Sequence, residues 1–267
     1  MKKIQIIAFS FVLMCGALAH ADATDSGVAA YDLGDYPTAL ELLQPLAEDG
    51  DAIAQSYLAS MYDWGLGVKY NSVIAASWYL KSADQGDKFS QYHIGTKYRR
   101  GVGVPEDIDK AISYLLLAAG QGSTDAQYDL VRIESSNKTF NLERAKSIEW
   151  LTNAANAGHV FAQYDLANIF SEKGDFESSR LAVHWWNESA RQKNSDAQYA
   201  LGRAYSEGFG VLTDLQRAYM WFSIAADHGA FGAKLDKGFL GVELSPEQIL
   251  RANEMANFCV KTNYEEC

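Results

Sequence analysis

A glutamine returns along this chain at a nearly constant interval. Gln55, Gln91, Gln127, Gln163 and Gln198 are separated by 36, 36, 36 and 35 residues, and each follows an alanine or a serine. Aromatic residues keep the same step at Trp78, Tyr114, Trp150, Trp186 and Trp221. Eight residues after each stands Gly86, Gly122, Gly158, Asn194 or Gly229. Three registers in phase restrict the chain to repeat architectures, in which each unit buries its apolar face against the next.

One period resolves into two helices. Ser90, Ile94 and Tyr98 lie four apart and form one stripe, which Leu58 and Tyr62, Leu166 and Phe170, and Leu201 and Tyr205 repeat. Gly95 and Gly202 stand where other copies carry Ala59 and Ala167. A small residue held there despite its helix cost implies close approach of a second helix. Gly65-Leu66-Gly67-Val68, Gly101-Val102-Gly103-Val104 and Gly208-Phe209-Gly210-Val211 end the first helix, the leading glycine suiting a left-handed cap. A second helix follows, as from Asp107 to Gln121, with Ala111, Tyr114, Ala118 and Ala119 toward its neighbour.

These registers resemble the Sel-1-like repeat family, a branch of the tetratricopeptide-type solenoids. Ser90 through Gly122 and Ala197 through Gly229 carry the family pattern almost throughout, with Lys110-Ala111, Ala118-Ala119, Arg217-Ala218, Trp221-Phe222 and Ala225-Ala226 in place. The resemblance runs from about Tyr31 to Gly229 and implies an all-α fold, an α-α superhelix built as a solenoid of about six antiparallel helix pairs. Two periods depart from it: Ser135-Ser136-Asn137-Lys138 and Glu172-Lys173-Gly174-Asp175 replace the glycine pair, so those loops should differ in shape. The first unit, around Gly34-Asp35-Tyr36, has the tighter turn of an ordinary tetratricopeptide repeat.

The ends read differently. Met1-Lys2-Lys3, the apolar run Ile4 to Leu18 and Ala19-His20-Ala21 form the pattern of a secretory leader over residues 1–21, cut after Ala21; an uncleaved anchor is the alternative. Residues 22–232 then form the repeat body and 233–267 a capping helix with a tail. That helix starts at Ser245-Pro246-Glu247-Gln248, an N-cap, a first-turn proline and a third-position glutamine. Cys259 and Cys267, eight residues apart, read as one disulfide in an oxidising compartment, or else as two free thiols on a frayed end. Export places the chain in the periplasm or outside the cell.

Composition narrows the partners. The formal net charge is −11, and loss of Lys2 and Lys3 makes it two units more negative. That balance disfavours nucleic acid and an anionic membrane surface. No run after the leader has transmembrane length.

Chemistry is sparse. His93, His159, His184 and His228 fall at different places in their periods, without metal-ligand spacing, and read as surface or packing residues. Ser135-x-x-Lys138 has the form of a penicillin-recognising motif but lacks its companion elements. The cysteine-rich branch of the family, described as β-lactamase-like, carries a disulfide in each repeat, which this chain does not. The alternative of a cell-wall or β-lactam hydrolase therefore has little beneath it, and neither an enzyme nor a cofactor is expected. The tryptophans share one internal position, the mark of repeat packing rather than a sugar platform.

What remains is a face. In tetratricopeptide-like stacks the first helix of each pair lines the concave surface, and the resemblance implies the same here. Offsets of two, five and nine from each glutamine lie about 140–200° round the helix from the apolar stripe. They nominate Tyr57, Ser60 and Trp64; His93, Thr96 and Arg100; Asp129 and Arg132, with Glu134 nearby; Asp165 and Asn168; Arg203 and Glu207. Trp64 beside Tyr57 has the character of an anchor for a protein or peptide partner. The expected function is protein binding in the bacterial envelope, as adaptor, scaffold, inhibitor or immunity-type protein.

Overall fold

The computed structural model describes residues 23–136, 140–265 and 267, and among these it contains helices and turns without a strand. A helix over residues 23–32 (α1) precedes Tyr36–Glu48 (α2), Ala52–Trp64 (α3), Ser72–Asp84 (α4), Lys88–Arg100 (α5), Ile108–Gly120 (α6) and Thr124–Ser136 (α7). Arg144–Asn156 (α8), Val160–Ser171 (α9), Phe176–Arg191 (α10), Ser195–Glu207 (α11) and Leu215–Asp227 (α12) follow. Ala233–Glu243 (α13) and Pro246–Lys261 (α14) complete the chain. The chain forms two compact units, divided within α7 between Leu130 and Val131. Each is a run of antiparallel helix pairs, the class expected from the sequence.

Capping residues set the frame. Asp51, Asp87, His159 and Asn194 accept from backbone amides at the starts of α3, α5, α9 and α11. Asp35, Asn71, Asp107, Asp175 and Asp214 do so for α2, α4, α6, α10 and α12. Each satisfies amides that a helix start leaves without intrahelical partners. Gly65, Gly101 and Gly208 close α3, α5 and α11 in the left-handed conformation. The second glycine of the pair has a different task. A Cβ on Gly103 would lie 2.0 Å from the Ser72 carbonyl oxygen, and one on Gly210 would lie 2.4 Å from that of Ser179. Only glycine lets the loop rest on the preceding pair.

In the unit up to Leu130, Leu43, Leu58 and Met61 fill the space between α2 and α3, and Tyr79, Ile94 and Ala111 that between α4, α5 and α6. Gly95 meets α6 closely, its added Cβ falling 2.9 Å from Leu115 Cγ. In the unit from Val131, Trp186, Leu201, Met220, Trp221 and Ile224 form the main core. Gly202 there abuts the ring of Phe222, 2.5 Å from an added Cβ. Trp150, Trp186 and Trp221 are buried and Trp78 half-buried, as repeat packing requires.

Three features depart from the sequence reading. The left-handed turn after α10 is made by Lys193 (φ 67°), not by Asn194; the in-phase turns use Gly86, Gly122, Gly158 and Gly229. This repeat is one residue shorter, so Asn194 shifts to the N-cap of α11, accepting from Asp196 and Ala197. Second, the four-residue loop 172–175 replaces the seven-residue loops 65–71, 101–107 and 208–214. It leads into an α10 of 16 residues rather than 13. Asn137 and Lys138 of the other divergent loop lie outside the described residues. Third, two helices follow Gly229, where one was expected. Leu240 from α13, Leu244 just after it and Ala252 from α14 pack on Tyr219 and Phe222 of α12. Ala256 and Cys259 of α14 join Trp221 and Ile224. Ser245 and Gln248 cap α14 reciprocally, as the sequence indicates. Cys259 and Cys267 come into disulfide geometry, with Cα atoms 4.9 Å apart.

Candidate interaction surface

The recurring glutamines do not face solvent. Gln55, Gln91, Gln127, Gln163 and Gln198 are all buried. Each donates from Nε2 to a carbonyl eight residues earlier: Ala47, Ala83, Ala119, Ala155 and Ala190. Its Oε1 in turn accepts from the turn that closes its own pair, Gln85 on Gln55, Gln121 on Gln91 and Gln192 on Gln163. The same donors reach one pair back, to the carbonyls of Gly50, Gly86 and Gly158. His228 stands in this register and meets Gln198 through Nδ1 at 2.8 Å. Gln127 Oε1 is buried without a partner; the position in register with Gln85 and Gln121 carries Ala157, which has no amide to donate. Within each unit the ladder holds successive pairs in register and so presents their first helices alike.

In the first unit that face bears two hollows of about 390 Å³ each. One lies between Tyr31, Asp32, Ile53, Tyr57, Asp87 and Phe89, with Ser60 in its wall. The other gathers Trp64, Tyr70, Tyr92, Thr96, Arg100 and Val102, with His93 beneath. Trp64, the last residue of α3, is 69% exposed and Tyr70 is also exposed. Of the sequence-nominated residues, Tyr57 and Ser60 meet in the first hollow, and Trp64, His93, Thr96 and Arg100 in the second.

Ser60 corrects the reading. It is 5% exposed and shares a hydrogen bond of 3.0 Å with the Tyr79 hydroxyl, because α4 crosses over that side of α3. His93 is half-buried, its ring stacked on Tyr79 at 5.0 Å and against Phe89 at 4.1 Å. Burial pushes the imidazole down to about 4, the nearby Lys97 ammonium adding to this and the Asp63 carboxylate opposing it. Lys97 itself is buried, paired with Asp63 and lying over the Tyr79 ring at 5.8 Å. The Asp63 carboxylate supplies the pairing that burial of such a side chain requires. Burial pushes the Tyr92 hydroxyl up to about 12. The second hollow is thus lined by the rings of Tyr92 and His93 and by the paired Lys97 and Asp63, and its rim carries the exposed Arg100 guanidinium.

Asp129 lines neither hollow; it pairs with Arg99 at 3.3 Å. Arg132 is exposed and also outside them. In the second unit, Glu134 accepts from the Leu142 amide and the Ser147 hydroxyl, so it secures the entry to α8 rather than facing a partner. A hollow of about 350 Å³ there is lined by Tyr164, Asn168, Trp186, Tyr199, Arg203 and Glu207. Asn168 accepts from the Trp186 indole, and Arg203 and Glu207 bridge each other at 2.6 Å. Asp165 is not in its lining.

Sequence reading missed Tyr92, Tyr164 and Tyr199, each of which lines a hollow. The signal was present: a tyrosine directly follows the register glutamine at 92, 128, 164 and 199. It missed Lys97 because its partner Asp63 lies 34 residues away, nearly a full repeat, a relation no local pattern marks.

Among the described residues, no group of three His, Cys, Asp or Glu side chains is placed to hold a metal ion, and no helix is long and apolar enough to cross a membrane. Ser135 donates to the Arg132 carbonyl, while its motif partner Lys138 lies outside the described residues.

The family model of the Sel1 repeat matches residues 52–87, 88–123, 143–159, 160–194 and 195–229, together more than half of the chain. Four of the five matched segments begin just after the capping residues Asp51, Asp87, His159 and Asn194, the other begins at Glu143, and α7 is left out. Among solved structures, a Sel1 repeat protein from Oxalobacter formigenes is similar at 27% identity and a TM-score of 0.73, over 88% of this chain and 96% of that one. The c5321 protein, a protective antigen of uropathogenic Escherichia coli with the SLR fold, is 23% identical with a TM-score of 0.51, over 92% of this chain and 70% of its own. Comparison with the curated proteins finds no match. With five matched repeats and a helix-pair fold shared with a solved Sel1 repeat protein, the chain belongs to the Sel1 repeat family.

Proposed function

We propose that this chain is exported to the bacterial envelope and works there by holding an extended or helical segment of another protein on the first-helix face of its N-terminal unit. The observation that carries the reading is Trp64. An indole 69% exposed at the end of α3, over a hollow walled by Tyr70, Tyr92 and Val102 and rimmed by Arg100, has the composition that concentrates binding energy at interfaces. The floor is rigid, since His93, Tyr79, Ser60, Lys97 and Asp63 hold one another. A partner therefore orders little of this surface on binding. The leader-like residues 1–21 and the oxidisable pair Cys259 and Cys267 support an envelope location.

The test is affinity capture of the tagged protein from envelope extract at low salt, with mass spectrometry of what is retained. The reading requires a stoichiometric partner that is lost on joint Trp64→Ala and Arg100→Glu substitution and kept by a surface control such as Lys261→Ala. In the same preparation, a mature N-terminus at Asp22 and release by osmotic shock support export. A full-length N-terminus in the cytosolic fraction counts against it.

A further inference from the structure

We propose that the outer face of α13 is the docking surface for a second copy of this chain. One side of the helix is satisfied: Leu240 and, just after the helix, Leu244 pack on Tyr219 and Phe222 of α12, and Asp236 accepts from the Tyr199 hydroxyl at 2.7 Å. The opposite side, residues 235, 238, 239 and 242, has the spacing of a buried helix face yet faces solvent, and Phe231 stands in the turn just before the helix. Phe231 is 97% exposed, Leu235 62%, Phe239 63% and Val242 87%. Gly238 lies in the middle of this stripe. A Cβ built on it meets nothing within 4 Å, so no packing among the described residues accounts for a glycine in mid-helix, where it weakens the helix relative to alanine.

A bump and a notch side by side are what a twofold contact uses, since one patch must complement itself. An antiparallel pairing of two α13 helices about an axis between 238 and 239 places each Phe239 in one layer with the other copy's Gly238. Leu235 then shares a layer with the other copy's Val242. The ring spreads over the notch, and the glycine lets the helices approach. A bilayer surface gains nothing from a notch, and the acidic charge of the chain opposes an anionic one. With about 150–250 Å² available from each aromatic ring, the patch offers roughly 500 Å² per copy. Twice that is about 1,000 Å², the size at which specific but weak association begins.

Sedimentation velocity from about 1 to 300 μM, on the protein as the cell processes it, tests this. The wild type is expected to pass from monomer to dimer with a dissociation constant on the order of tens of micromolar. Phe239→Asp is expected to weaken association at least tenfold with an unchanged circular dichroism spectrum. Gly238→Ala separates interface from fold: it should raise the melting temperature by about 2 °C while weakening association severalfold. A wild type that stays monomeric throughout, whether or not it floats with phosphatidylcholine vesicles, overturns the proposal. Wild-type dimer affinity in either variant also overturns it.

Discussion

Gln121 donates from its side-chain amide to the side-chain oxygen of Gln91, thirty residues earlier, at 2.8 Å. Gln91 meanwhile donates to the Ala83 carbonyl at 3.2 Å. One buried amide thus serves two helix pairs, which explains why the glutamine register is the strictest in the sequence.

Removing that amide strips the Ala83 carbonyl and the Gln121 amide of a partner at once. Gln91→Leu, similar in size, is expected to cost about 2–3 kcal/mol, measured as a lowered midpoint in urea. Gln85→Ala should cost less, about 1 kcal/mol, because Gln85 is exposed and water can take its place as donor to the Gln55 side-chain oxygen and the Gly50 carbonyl.

Lys193 occupies the left-handed turn that glycine makes in the other repeats. Replacing it with glycine removes the steric cost of a Cβ there, offset in part by the greater freedom of the unfolded chain. Lys193→Gly should gain about 0.5–1 kcal/mol, and Lys193→Ala nothing, in paired thermal melts.

His93 makes the fold sensitive to mild acid. Its pKa falls from 6.5 to about 4 on folding, so the unfolded chain takes up the proton first. The associated stability is complete above pH 6.5 and is lost as pH falls toward 4. Between pH 6.5 and 5, above the range where carboxylates titrate, wild type should lose about 2 kcal/mol. His93→Gln should be flat over that interval in urea titrations at each pH.

The tail gives a redox prediction. Tyr264 is buried, and its hydroxyl meets His228 Nε2 at 3.2 Å, while Cys259 and Cys267 flank it in sequence. A closed loop this short should contribute about 2 kcal/mol. Thiol titration of the denatured, unreduced protein should find no free cysteine, and a reductant should lower the melting temperature. Two titratable thiols in protein drawn from its own compartment would refute the pairing.

Much of the fold was legible before any coordinates. Periodicity assigned both helices of each pair, the glycine caps at 65, 101 and 208, and the close approaches at Gly95 and Gly202, because each is a local rule repeated in phase. The second helix read as Asp107 to Gln121 is α6 with its two capping residues. The candidate surface was legible in part: Trp64, Thr96 and Arg100 do gather around one hollow. The failures share one cause. Ser60 turned inward because α4 crosses it, Glu134 bound the start of α8, and Asp129 found Arg99. A wheel drawn on a single helix contains none of these neighbours.

By itself, then, the sequence determined the repeat, its helix pairs and the spacing of its caps, since those follow from backbone rules acting within about a dozen residues. Only the tertiary structure decided which polar side chains are spent inside: the glutamine ladder, the Lys97–Asp63 pair over Tyr79, and the left-handed Lys193. It also decided which apolar ones stay outside, Trp64 over its hollow and the stripe of α13. Burial is a property of neighbours roughly a full repeat away, and no local pattern records who they are.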